Sequence, residues 1–203
     1  PSWIVPLVIL LAVDQPRATA ANAKLKLQYS RAPQHLKTAD NSNIVVWLTP
    51  LSDPALLQAD EALQKLPRHY QLLQKKKQFA PHMLIVPAGS RVDFPNQDTF
   101  FHNVFSLFDG RRFDLGLYEA GTTRAVRFDR PGVSFIFCNI HPQMSAIIIA
   151  LKTPYFGISD RAGDVSISDV PPGRYRLEVW SERSPPETLQ ALTREITITE
   201  EKS

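Results

Sequence analysis

Cys138 is the one cysteine in the 203 residues, and His141 and Met144 follow it at three-residue steps, so a thiol, an imidazole and a thioether fall within seven residues. These are soft or borderline donors. As a set they suit copper better than zinc, because a thioether binds Zn²⁺ poorly and the loop carries no hard carboxylate. A trigonal copper site of the blue type needs a second imidazole. His102 supplies one 36 residues upstream, in the apolar run Phe101-His102-Asn103-Val104-Phe105. Taken singly, a free cysteine is most often a small buried hydrophobe, and a lone histidine a satisfied core or surface residue. The joint spacing, in a chain with only two methionines, selects the metal reading. Its competitor is a similar sandwich that holds another metal or none.

The elements that must position these residues are strands. Val133, Phe135 and Phe137 alternate ahead of Cys138 and predict a buried strand that delivers the thiol to a loop. The run around His102 predicts a second strand of the same sandwich. With these strands in place, the pair made by HNVFS (His102 to Ser106) and C-x2-H-x2-M (Cys138, His141, Met144) resembles the type 1 copper signature of cupredoxins. The short loop with Pro142 directly after the histidine is most similar to amicyanin, whereas plastocyanin-like loops carry a longer spacer before the methionine. Upstream, Phe79-Ala80-Pro81 and LIVPAGSRVDFPNQD (Leu84 to Asp98) resemble the early cupredoxin strands, and the match covers residues 79 to 151.

The resemblance implies a trigonal ligand set of His102, Cys138 and His141 with Met144 as weak axial ligand, and one type 1 copper as cofactor. It also implies that Asn103 ties the two ligand loops together. Such a protein is a periplasmic carrier of single electrons with a transient redox protein partner, serving a dehydrogenase as amicyanin does. The chain is likewise similar to methylamine utilization-type periplasmic proteins. Protein donors fill every coordination position in that arrangement, so electron transfer is expected rather than enzyme activity. A copper-delivery protein without a redox circuit and a metal-free interaction module are the alternatives.

Trp3 to Val13 is almost continuously apolar, and Ala18-Thr19-Ala20 is a small-x-small pattern. Residues 1–20 are therefore expected to be a secretory signal peptide truncated at its start, which makes the protein periplasmic or secreted. The apolar run is too short to span a bilayer, so no stable membrane insertion is expected after cleavage. In an oxidising compartment one cysteine has no internal partner, and metal binding accounts for it. The net charge of +3 and the short runs Lys75-Lys76-Lys77 and Arg111-Arg112 read as solvated faces, with no nucleic-acid partner.

Lys24 to Tyr29 alternates and Ile44 to Leu48 is apolar, and the two predict strands separated by a polar loop. PALLQADEALQKL (54–66) predicts one amphipathic helix with Leu56, Leu57, Leu63 and Leu66 on its apolar face. With the segment up to Gln78 it reads as a helical linker over 51–78. Beyond Leu151 the strands Tyr155 to Ser159, Val165 to Ser168, Tyr175 to Trp180 and Glu195 to Thr199 are separated by the turns Asp160-Arg161-Ala162-Gly163 and Pro171-Pro172-Gly173. SDRAGDVSISDVPPGRYRLEVW is similar to the second half of carboxypeptidase regulatory-like domains, small transthyretin-like β-sandwiches. The expected chain is all-β, with a cupredoxin-like Greek-key sandwich over 79–151 inserted into an accessory sandwich made from 21–50 and 152–203.

Other side chains are assigned no chemistry. His82 opens a strand near the ligand region without a ligand role, and His35 and His69 fall in polar loops. Asp93, Asp98, Asp114 and Glu119 read as solvated turns and strand ends. There is no nucleophile elbow, glycine-rich phosphate loop or HExxH helix, so no catalytic residue is expected.

Overall fold

The computed structural model describes residues 7–13, 21–29, 40–107 and 110–199. Two compact units emerge: Pro1–Ala62 with Tyr155–Ser203, and Leu63–Pro154. The first begins with β1 (Leu7–Val13), β2 (Ala21–Tyr29), β3 (Val45–Pro50) and helix α1 (Asp53–Lys65). The second holds β4 (His69–Gln71), β5 (Leu73–Lys75), β6 (Gln78–Ala80), β7 (Met83–Pro87), β8 (Ser90–Pro95), β9 (His102–Ser106), β10 (Phe113–Tyr118), β11 (Thr123–Phe128), β12 (Gly132–Phe137) and β13 (Ser145–Leu151). The chain then returns to the first unit with β14 (Phe156–Ile158), β15 (Asp164–Val170), β16 (Gly173–Trp180), helix α2 (Pro186–Leu192) and β17 (Arg194–Ile198).

In the second unit a five-stranded sheet, β10-β9-β12-β13-β7, faces a three-stranded one, β11-β8-β4, with β5 and β6 as a separate hairpin. Strand alternation decides the core. Val86, Val104, Ile136, Ala146 and Ile148 from the larger sheet meet Val92, Phe94, Val126 and Phe128 from the smaller. Phe94 and Phe128 are fully buried, and each removes enough apolar surface from water to contribute about 1.5–3 kcal/mol. Antiparallel pairing prevails, but β13 runs parallel to β7 and β4 parallel to β8.

The first unit packs the sheet β1-β2-β15 against β14-β3-β16-β17. Ala23, Leu25, Val165 and Ile167 of one sheet share a core with Val46, Leu48, Tyr175 and Leu177 of the other. The buried Tyr175 hydroxyl donates to the Pro171 carbonyl at 2.6 Å, so its one polar atom is satisfied.

Two expectations change. The region 51–78 is not a linker: α1 contributes Ala55 and Ala59 to the first core, and β4 and β5 belong to the second unit. The helix also turns a different face inward from the leucine stripe, leaving Leu56 and Leu57 exposed. Close approach explains this choice. A Cβ added at Gly173 would lie 3.0 Å from the Ala55 Cβ and 2.9 Å from the Ser52 hydroxyl, so only small residues fit there. Leu7–Val13, the apolar part of the expected leader, forms strand β1, paired residue by residue with β2. A short apolar run suits either role by pattern alone. The cleavage pattern Ala18-Thr19-Ala20 lies outside the described residues. No helix among the described residues is long and apolar enough to cross a membrane.

Candidate metal centre

Strands β9 and β12 are neighbours in the five-stranded sheet, with Phe105 opposite Phe137. His102 stands at the start of β9, three residues before Phe105, and Cys138 follows Phe137. The antiparallel register therefore carries the loop after Phe137 back alongside His102. That loop closes on itself before β13 through a 2.8 Å bond from the Met144 N–H to the His141 carbonyl.

Three donor atoms converge as a result. Cys138 Sγ lies 3.8 Å from His102 Nδ1 and 3.8 Å from His141 Nδ1, and the two Nδ1 atoms are 3.2 Å apart. A metal bound about 2.0 Å from nitrogen and about 2.3 Å from sulfur holds such donors roughly 3.2–3.8 Å from one another, so the cluster has the spacing of a ligand set. A thiolate with two imidazoles suits copper or zinc. Met144 is buried in the same core cluster as Cys138, and a thioether joined to that set would favour copper. His102 and Cys138 are buried, while His141 is half-buried. Ile140, Pro142 and Phe101 are exposed beside these residues in sequence.

Two further side chains belong to this centre and escape the sequence reading. The Phe100 ring lies 5.2 Å from the His102 ring and 5.4 Å from the His141 ring, and the imidazoles themselves are 4.9 Å apart. Lys77 Nζ sits 5.4 Å from the centre of the Phe100 ring, in cation–π range. The other is Asp98, whose Oδ2 accepts from His102 Nε2 at 2.9 Å, with only 9% of its side chain exposed. A carboxylate on Nε2 makes that nitrogen the protonated one, so Nδ1 keeps its lone pair for a metal. The available signal was the placement of an acid four residues before the histidine.

Asp98 is itself held. It accepts the backbone N–H of Lys76 at 2.5 Å and of Lys77 at 2.9 Å. Both lysines have left-handed backbones, with φ of 56° and 57°, at the turn of the β5–β6 hairpin. Such conformations cost about 1–3 kcal/mol at a non-glycine residue, and here they aim two amides at one carboxylate. Burial alone would raise the Asp98 pKa. The Lys77 amide, the His102 ring and the Lys76 amide outweigh it and hold the carboxyl below its ordinary value. Partial burial, then the neighbouring His102 and Lys77, lower the His141 pKa from its ordinary value, the direction that favours the neutral ring whose lone pair a metal needs.

The remaining expectations resolve as follows. Asn103 donates to Asp114 on β10 at 2.7 Å, and its Oδ1 has no hydrogen-bond partner, so the link it makes is not the one between ligand loops. Asp93 and Asp98 are not solvated ends. Asp93 is buried and accepts from Arg91 at 2.8 Å and pairs with His69 at 2.6 Å. The burial of both follows from neighbouring donors that replace water. Glu119 is exposed. His82 is exposed and its Nδ1 lies 3.2 Å from the Ser145 carbonyl. His35 lies outside the described residues. Among the described residues, His102, Cys138 and His141 are the metal-competent cluster.

No family model and no curated protein sequence matches the chain. Among solved structures, part of it is similar to a copper-containing nitrite reductase from Thermus scotoductus SA-01, at 25% identity and a TM-score of 0.40 over 42% of this chain. The match spans 23% of that enzyme's length. It is also similar to a purple cupredoxin from Nitrosopumilus maritimus (21% identity, 40% of this chain and 99% of that one, TM-score 0.37). A third similarity is to amicyanin from Paracoccus versutus (20% identity, 44% and 88%, TM-score 0.37). The described residues form a mostly β protein of paired sheets with two helices, α1 and α2.

Proposed function

We propose that Leu63–Pro154 binds one copper ion in a type 1 site and that the protein carries single electrons between redox partners outside the cytoplasm. The observation that carries this reading is the convergence of one thiol and two Nδ1 atoms at 3.2–3.8 Å, with one imidazole buried and the other half-buried. His102, Cys138 and His141 would hold the ion, with the Met144 thioether as a further, weaker donor. Copper in such a set supplies a one-electron couple whose two oxidation states tolerate the same geometry. The sandwich contributes rigidity, since His102 and Cys138 leave adjacent strands and Phe100 covers both rings.

Protein donors fill the coordination positions, so the centre relays electrons rather than binding substrate. His141 is the port. It is half-buried and its sequence neighbours Ile140 and Pro142 are exposed, an apolar rim suited to a transient redox encounter burying less than about 1,200 Å². Such a rim is sensitive to added charge. Pro142→Glu is expected to slow electron exchange with a physiological or surrogate partner at least tenfold in stopped-flow kinetics, while copper affinity and absorption stay as in the parent. Exchange at the parental rate in Pro142→Glu, with slowing instead in a folded Trp180→Ala variant of the other unit, would refute entry through His141.

A further inference from the structure

The copper reading accounts for Cys138, His141 and Met144 without asking why a carboxylate is buried behind His102. Resting on that reading, we propose that Asp98 is a positioning residue. It fixes His102 as the Nε2–H tautomer with Nδ1 turned to the other donors, and it lowers the reduction potential of the copper held there.

Three observations meet on this carboxylate. Oδ2 accepts from His102 Nε2 at 2.9 Å and also from the Lys77 amide at 2.9 Å, while Oδ1 accepts from the Lys76 amide. The Asp98 backbone is anchored too, its N–H donating to Asn96 Oδ1 at 3.0 Å, and Asn96 in turn donates to the Phe100 carbonyl at 2.8 Å. The turn that supplies the two amides takes the left-handed conformation at two successive lysines, where Asn-Gly is the usual choice. A strained turn, a bracing asparagine and a buried charge thus serve one contact on the far side of a single imidazole ring.

The chemical consequence follows from the charge of the acceptor. Hydrogen bonds to an ionised group are stronger than neutral ones. A carboxylate that draws on Nε2–H pushes electron density onto the ring and makes Nδ1 a stronger donor. Stronger donation stabilises Cu(II) more than Cu(I), and the nearby negative charge acts in the same direction. A neutral acceptor in the same place would keep the ring oriented but lose much of the electronic effect. Orientation and potential are therefore separable.

Asp98→Asn and Asp98→Ala separate them. The asparagine oxygen, set where Oδ2 stands, retains the bonds from His102 and Lys77 and loses the charge; alanine removes all three. The first measurement is nitrogen NMR of the His102 ring in the metal-free protein. The parent and Asp98→Asn are expected to show Nε2–H, and Asp98→Ala a tautomer mixture. The second is Co²⁺ titration, with affinity expected to fall 10- to 100-fold in Asp98→Ala. The third is voltammetry of the copper-loaded protein. Asp98→Asn is expected to shift upward, by 59 mV for each tenfold loss of preference for Cu(II).

A purely structural role would lower the melting temperature of the variants and leave tautomer, affinity and potential at parental values, and that outcome overturns the proposal. So does a parent whose His102 is protonated at Nδ1, a result that needs no variant to fold. Because the ring measurement needs no metal, a parent that fails to form a copper chromophore defeats the copper reading alone. The His102 tautomer then still decides whether Asp98 positions the ring.

Discussion

In the unit built from Pro1–Ala62 and Tyr155–Ser203, the described core is formed by Ile44, Val46, Leu48, Leu177 and their neighbours, and its buried polar side chains are fewer: Tyr155, Tyr175, Asn41, Ser159, Ser181 and Ser184. In Leu63–Pro154, a sandwich built on the same strand logic, the buried set includes Gln74, Ser90, Asn96, His102, Asn103, Ser106 and Ser134. Several of those polar atoms are left without partners there, among them Gln74 Oε1, Ser90 Oγ, Asn103 Oδ1 and Ser106 Oγ. Each unsatisfied buried group costs about 1–3 kcal/mol of desolvation. The difference shows two uses of one architecture. The more apolar sandwich stores stability, whereas the one carrying more polar groups holds a constellation of donors in place, and a metal that binds the folded state adds stability by mass action.

The contrast breaks most severely at Cys138. Cys138→Ala is expected to abolish the thiolate-to-copper absorption completely, with the strand content of both units unchanged by circular dichroism. A coloured variant would remove the thiol from the site. Leu177→Ala, in the first core, is the opposite case. It is expected to cost about 2–5 kcal/mol by denaturant unfolding and to leave the copper spectrum untouched. A changed spectrum there would mean that the two units do not divide the work as described.

Met144→Leu sharpens the contrast with the smallest change. The swap nearly conserves volume, so a stability loss under about 1.5 kcal/mol is expected. The colour should persist and the reduction potential should rise, because losing a thioether donor would disfavour Cu(II). A colourless variant or a lower potential would count against the thioether as a ligand.

The legible part of the site was the part written in rare residue types. One cysteine and two methionines leave few ways to assemble thiol, imidazole and thioether, so a short loop and one upstream histidine stood out. Asp98 and Phe100 did not, because an acid in a polar turn and a phenylalanine beside a strand are common. Their importance comes from contacts made by the β5–β6 hairpin and by two histidines 39 residues apart. The strands β4 and β5 were hidden for a related reason: three-residue pieces rich in Gln and Lys carry no period, and pairing decides them. The buried face of α1 was hidden by size. Leucines mark an apolar stripe, yet the approach to Gly173 admits alanine, so packing overrode hydrophobicity. Strands β3, β9, β12, β15 and β16 were readable from alternation and turn residues, whereas β10, β11 and β13 were not read individually and the short helix α2 gave no comparable signal.

Titration of the metal-free protein with Cu²⁺, followed by visible absorption, tests the central claim most directly. One equivalent per chain is expected to generate an intense charge-transfer band that saturates sharply, disappears on reduction and returns on reoxidation. Weak absorption typical of nitrogen and oxygen ligands, or an intense band that survives in Cys138→Ala, would contradict a centre formed by His102, Cys138, His141 and Met144.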